Sequence, residues 1–112
     1  MAFEKICTLD DVWEGDMASF ETSDGTGVLV VFASGGELKA FQSLCPHQGF
    51  ELIDGKLEGH VLTCTAHLWE FDVRSGKGVN PMDCRLTVYP TKIEGNDVYV
   101  DVTKVAPFDS YS

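Results

Sequence analysis

Apolar residues in this chain come in short runs separated by turn-forming residues. Phe3–Cys7, Ala18–Glu21, Val28–Ala33, Leu38–Phe41, Val61–Cys64, Trp69–Val73, Leu86–Tyr89 and Asp97–Val102 are rich in β-branched and aromatic side chains. Runs of this length bounded by turn signals predict strands, and their even spacing predicts an antiparallel sandwich or barrel. Asp24-Gly25, Gly35-Gly36 and Gly95-Asn96 are dipeptides suited to tight hairpins. Leu9–Trp13, behind Thr8 as a cap, is the one stretch with a helical turn in prospect. The chain has no internal repeat and no low-complexity tract. The fold class predicted is all-β.

Composition agrees. Val, Ile, Thr, Tyr, Phe and Trp supply 35 of the 112 residues, against 6 alanines. That length suits a single domain over residues 1–112, with 44% apolar residues to form a modest core. Residues 43–84 read differently from the ends. They hold three of the four cysteines, all three histidines, five glycines and two prolines, and few of their apolar residues alternate cleanly. This middle segment is expected to be a loop-built insert on a β scaffold, where function tends to sit.

Net charge is −10, from 8 Lys and Arg against 18 Asp and Glu. Non-specific nucleic-acid binding needs a cationic face and is excluded as a default, and docking on anionic membranes is disfavoured. Residues 1–37 carry −7, from one Lys and eight acids, and either a solvated face or a docking role accounts for that excess. The N-terminal segment lacks the apolar core of a signal peptide, and the longest apolar run, Val28–Ala33, is far short of the roughly 20 residues of a membrane helix. A cytoplasmic location is expected. In that reducing compartment Cys7, Cys45, Cys64 and Cys84 point to metal or redox chemistry before structural disulfides.

The chemistry concentrates in Cys45-Pro46-His47, sixteen intervening residues, and Cys64-Thr65-Ala66-His67. Each half offers one thiolate and one imidazole, so two facing loop tips give four ligands. Zinc accepts Cys₂His₂ tetrahedrally, but its fingers usually take two like ligands from each half. A Rieske [2Fe–2S] centre takes two cysteines on one iron and two histidines on the other, which one Cys and one His per half supply by crossing. The binuclear cluster is the leading reading and zinc the alternative.

C-P-H…C-x-x-H, with Gly49 after it and Gly76-x-Gly78…Pro81 further on, resembles the Rieske ferredoxins. Phe3-Glu4-Lys5-Ile6-Cys7, Leu9-Asp10-Asp11, Phe20-Glu21-Thr22-Ser23-Asp24-Gly25 and His67-Leu68-Trp69 extend the similarity over nearly the whole chain. They resemble one branch in particular, the ferredoxin component of multicomponent toluene and xylene monooxygenases. The resemblance implies a β-sandwich base with a smaller cluster-binding subdomain inserted at 43–84. It implies one [2Fe–2S] cluster, with Cys45 and Cys64 on the buried iron and His47 and His67 on the outer one. In the respiratory branch each ligand loop has an extra cysteine, and the two form a disulfide. Phe50 and Ala66 stand at those places here, which excludes that bond. Leu68 and Trp69 replace the glycine and serine that follow the second histidine there, removing a hydrogen bond to the cluster. By this resemblance the potential falls toward the low end of the Rieske range, near roughly −150 mV.

Two ferric ions, two sulfides and two thiolates sum to zero charge, so His₂ ligation makes adding one electron easier than in an all-cysteine cluster. Protein fills every terminal position on both irons, which marks a carrier and not a catalyst. The expected partners are an NADH-dependent flavin and iron–sulfur reductase and the hydroxylase component of a diiron aromatic oxygenase, with the chain itself a monomer. The ferredoxin of an aromatic-ring dioxygenase is the alternative within this class. A zinc-stabilised interaction module and a metal-free structural subunit are the rivals outside it. His60 is expected on a surface loop, Cys7 and Cys84 as small hydrophobes, and Asp10 and Asp11 as solvated surface. Trp69 fits a core position and a place beside the cluster equally well.

Overall fold

The computed structural model describes residues 3–33, 37–44, 51–64, 69–80 and 85–103. Among them are eleven strands: β1 (Glu4–Thr8), β2 (Asp16–Glu21), β3 (Gly27–Ala33), β4 (Glu37–Gln42), β5 (Lys56–Glu58), β6 (Val61–Thr63), β7 (Glu70–Asp72), β8 (Gly78–Asn80), β9 (Val88–Tyr89), β10 (Thr91–Glu94) and β11 (Asp97–Val100). They form three antiparallel sheets, ordered β1-β11-β10, β2-β3-β4-β9 and β5-β6-β7-β8. No helix of the described residues is long and apolar enough to cross a membrane.

The unbroken apolar run of β3 explains how the layers stack. A strand with one wet face alternates, whereas a strand covered on both faces reads as continuous apolar residues. Val28 and Val30 pack with Cys7, Val12, Ala40, Tyr89, Val98 and Val100 on one side. Leu29 and Val31 pack with Phe41, Leu52, Leu62, Cys64, Phe71, Val73 and Leu86 on the other. The β2-β3-β4-β9 sheet is therefore a middle layer. One face carries the β1-β11-β10 sheet, and the other carries the sheet built from residues 56–80.

All eight predicted strands are present, with shifted ends. Asp97–Val102 stops at Val100 because Asp101 turns inward. Its N–H donates to the Pro90 carbonyl, and its fully buried carboxylate accepts the Thr103 N–H at 2.9 Å and hydroxyl at 2.5 Å. Leu86–Tyr89 shortens to Val88–Tyr89 as Leu86 and Thr87 bond to Gly76 and Gln42 outside the regular ladder. β5, β8 and β10 are additions, short and polar, and held by the neighbours they pair with.

The helical turn expected at Leu9–Trp13 is a plain turn instead. Thr8 does not cap it. The Asp11 carboxylate reaches back to accept the Thr8 N–H at 2.8 Å and its hydroxyl at 3.2 Å, while the Asp11 N–H donates to the Thr8 carbonyl. Asp10 accepts from the Asn96 side chain at 3.0 Å, tying this turn to the next hairpin. Both aspartates thus hold turns and are not merely solvated. A 3-10 turn at Leu52–Asp54 is the helical element among the described residues. Asp24-Gly25 and Gly95-Asn96 turn as expected, and Gly35-Gly36 lies outside the described residues.

Candidate metal centre

The first ligand loop leaves β4 through Ser43 and Leu44. Leu44 and Glu51 form an antiparallel bridge, and the Leu52 N–H donates to the Ser43 carbonyl at 2.9 Å. These bonds close a neck from which residues 45–50 depart. Cys45 and His47 are among those residues and lie outside the described ones, as do Gly49 and Phe50. The second loop begins where β6 runs into Cys64. The Cys64 N–H donates to the Trp69 carbonyl at 2.7 Å and closes that neck, while residues 65–68, His67 included, lie outside the described set.

A third neck closes around the segment that begins with β8. Lys77 bridges Arg85, and the Leu86 N–H donates to the Gly76 carbonyl at 2.7 Å. Gly76 has φ +82°, and a Cβ there would come within 2.7 Å of the Leu86 carbonyl oxygen and 2.9 Å of a Val88 methyl. Only glycine fits that position, for conformation and space together. Pro81 and Cys84 lie in the span this neck encloses, outside the described residues. In the turn that leads to it, Arg74 donates from Nε at 3.1 Å and Nη2 at 2.9 Å to Asp72. These bonds hold the Asp72 carboxyl below its ordinary range.

Two contacts bring the necks together. A Cβ on Gly55 would collide with the Thr63 carbonyl oxygen and lie 3.1 Å from that of Leu52. The turn after the first loop therefore packs backbone to backbone against the residue before Cys64. Gln42 joins the first neck to the third: its Nε2 donates to the Leu44 carbonyl at 2.9 Å, and its Oε1 accepts the Thr87 N–H at 2.8 Å. Neither Gly55 nor Gln42 is singled out by the sequence. One is a glycine among eleven, and the other is a polar residue at a strand end with no local signal of its contacts.

Of the four predicted ligands, Cys64 is described. It is a free thiol with no exposed surface, set among Leu52, Leu62 and Phe71. Among the described residues no three His, Cys, Asp or Glu side chains gather around a common point. The donor chemistry nevertheless fits a [2Fe–2S] cluster. A dry, apolar seat suits a thiolate whose charge iron and sulfide cancel, and Gly55, in the turn after the first loop, packs against the residue before Cys64. Trp69 is half-buried against the same core as Cys64, so it is a core aromatic next to the second loop.

Cys7 belongs to the other core, across the middle sheet. Burial, and then the negative charge of Asp11, push its thiol up to about 11, so it stays protonated and inert, as a small hydrophobe should. His60 is not the plain surface residue expected. It is half-buried in the turn between β5 and β6, its carbonyl accepts the Val73 N–H at 2.9 Å, and its Nδ1 is buried without a hydrogen-bond partner among the described residues.

Comparison with known proteins agrees with this architecture. Residues 2–90 match the Rieske [2Fe-2S] domain family. The chain is 38% identical over 96 residues to the ferredoxin component of the alkene monooxygenase system of Xanthobacter autotrophicus, covering 85% of this chain and 77% of that one. It is also 38% identical over 108 residues to a biphenyl dioxygenase ferredoxin subunit from a Pseudomonas strain, covering 95% and 97%. The solved ferredoxin of Sphingomonas yanoikuyae B1 superposes with a TM-score of 0.80 at 24% identity, over 90% of this chain and 99% of that one, and shares the fold. The chain belongs to the Rieske [2Fe–2S] family and is an electron-carrying ferredoxin, not an enzyme.

Proposed function

We propose that this ferredoxin passes single electrons from an NADH-dependent flavin and iron–sulfur reductase to the hydroxylase of a diiron aromatic monooxygenase, working as a cytoplasmic monomer. Residues 1–112 form one domain, and residues 43–84 are its cluster-binding subdomain. Cys45 and Cys64 hold the inner iron of one [2Fe–2S] cluster, and His47 and His67 hold the outer iron. The observation that carries this reading is the buried Cys64 thiol at a loop neck against which the neck of the Cys45 loop is stacked through Gly55. The cluster supplies one-electron chemistry with no open coordination position.

The chain's own residues do the rest. Leu52, Leu62 and Phe71 exclude water around the Cys64 sulfur, so a charge arriving there is poorly screened and the protein sets the potential. The Leu44–Glu51 bridge and the Cys64–Trp69 hydrogen bond fix where each ligand-bearing loop leaves the scaffold. His47 and His67, as ligands, would link the cluster to the face a partner covers. The net charge of −10 steers the protein toward basic surfaces on that partner.

A monooxygenase ferredoxin and dioxygenase ferredoxins both stand among the relatives, at equal identity in the two compared above, so a ring-hydroxylating dioxygenase is the second reading. Turnover with each purified oxygenase separates the two. The carrier reading is tested by the visible spectrum before and after dithionite. A red-brown protein that bleaches is expected, and His47→Cys or His67→Cys shifts the spectrum toward the all-cysteine type. A colourless protein with stoichiometric zinc, even after expression with added iron and sulfide, overturns it.

A further inference from the structure

We infer that Gln42 is a positioning residue for the cluster: it fixes the exit of the first ligand loop against the chain returning from residues 81–84. The inference rests on the reading of Cys45 as a ligand. Gln42 ends β4 and is 3% exposed. A buried primary amide is costly unless its polar ends are bonded, and an apolar side chain fills such a place more cheaply. Both ends are bonded here, and to main chain. Nε2 donates to the Leu44 carbonyl at 2.9 Å, and Oε1 accepts the Thr87 N–H at 2.8 Å across 45 residues of sequence. The Gln42 N–H also donates to the Thr87 carbonyl at 3.1 Å.

Each end of the amide grips the chain at a loop neck. The Leu44 carbonyl belongs to the planar peptide unit that leads into Cys45, so holding that oxygen limits rotation of the unit. Thr87 comes directly after Leu86, whose N–H closes the third neck on Gly76. One side chain thus sets the register between two necks, and the backbone stacking at Gly55 sets it between the first and second. The Leu44–Glu51 bridge alone ties the first loop only to itself. Without the amide, the middle sheet loses a tether on the segment entering Cys45, and a chelator competes more easily for the iron.

The test uses the holo-protein and Gln42→Met, which keeps length and burial but removes both bonds. Gln42→Glu is a second variant, whose ionised carboxylate accepts from Thr87 but cannot donate to Leu44. Three quantities are read: the g-values and linewidths of the dithionite-reduced cluster by electron paramagnetic resonance, the rate of bleaching under a ferrous chelator, and the melting midpoint of the apo-protein. We expect shifted or broadened resonance lines. Bleaching is expected to be about tenfold faster, the low end of what residues that support a ligand contribute. A spectrum superimposable on the parent's in a folded variant overturns the inference, including when bleaching quickens only as far as a lower apo-protein midpoint accounts for. If parent protein expressed with iron and sulfide shows no Rieske signal at all, the ligand reading fails first and takes this inference with it.

Discussion

Single side chains in this protein draw opposite behaviour from the same chemical group. Cys7 and Cys64 are both buried free thiols, yet they lie in different cores and serve different ends. Cys64 stands at a loop neck, where under the proposed function iron would take its proton's place. Cys7 faces valines and the Asp11 charge, which raise its pKa to about 11. In the unfolded chain that thiol ionises nearer the ordinary 8.5 or so. Above that pH the unfolded state sheds a proton the folded state keeps, so the contribution of Cys7 is whole below about pH 8.5 and lost as pH rises toward 11. Urea melts from about pH 7 to 10.5, a range spanning the ordinary thiol value, should show stability falling on the alkaline side, and Cys7→Val should flatten that fall. Peptide mapping after iodoacetamide at about pH 8 should find Cys7 unmodified in the folded protein.

At the scale of elements, β3 carries the architecture. Its residues are buried in alternation toward two cores, so substitutions one position apart report on different parts of the molecule. Leu29→Ala should cost about 2–5 kcal/mol, the usual range for a core leucine. Because Leu29 packs with Leu52, Leu62 and Cys64, this change should also loosen the β5-β6-β7-β8 sheet. Val30→Ala removes less volume from the other core and should leave the cluster's absorbance and bleaching rate unchanged. Denaturant melts paired with visible spectra check both. The strands were legible in the sequence wherever β-branched residues clustered, as at Val28–Ala33 and Asp97–Val102, though the second ends at Val100. β5 and β8 were not: Lys56-Leu57-Glu58 and Gly78-Val79-Asn80 each hold one apolar residue, and pairing with β6 and β7 makes them strands. Leu9–Trp13 misled because a Thr before an apolar stretch looks like a helix cap, while Asp11 supplies a competing side-chain bond that closes a turn.

Across the whole molecule, three necks and one buried thiol gather on one face of the middle sheet. Exposed Trp13, by contrast, precedes β2, whose first residue pairs with Phe32, at the end of that sheet away from Gln42 and Leu44. The turn below the third neck depends on the Arg74 fork around Asp72, which lowers the Asp72 pKa. A depressed carboxyl pKa stabilises above the unfolded value and loses its effect as pH falls through the folded one. Acid unfolding should therefore sharpen below about pH 3.9, the ordinary aspartate value. Asp72→Asn should lose stability near neutral pH by no more than about 1 kcal/mol, the scale of an exposed pair, and show a shallower acid limb. Circular dichroism followed from neutral pH down through the carboxylate range checks this.

The sequence by itself determined the fold class and the family, and it supplied the Cys45, His47, Cys64 and His67 spacing on which the proposed ligand set rests, because each depends on residue types at fixed positions. The tertiary structure decided which faces of β3 meet which sheet, since an unbroken apolar run says only that both are covered. It decided that Cys7 and Cys64 part company, and that His60 lies half-buried. It also decided that Gly55 and Gln42 join the necks. Those two act through backbone atoms of Thr63, Leu44 and Thr87, and backbone atoms are the same at every position of a sequence. Their roles arise only when the chain brings distant main-chain groups within a hydrogen bond or a van der Waals radius of each other.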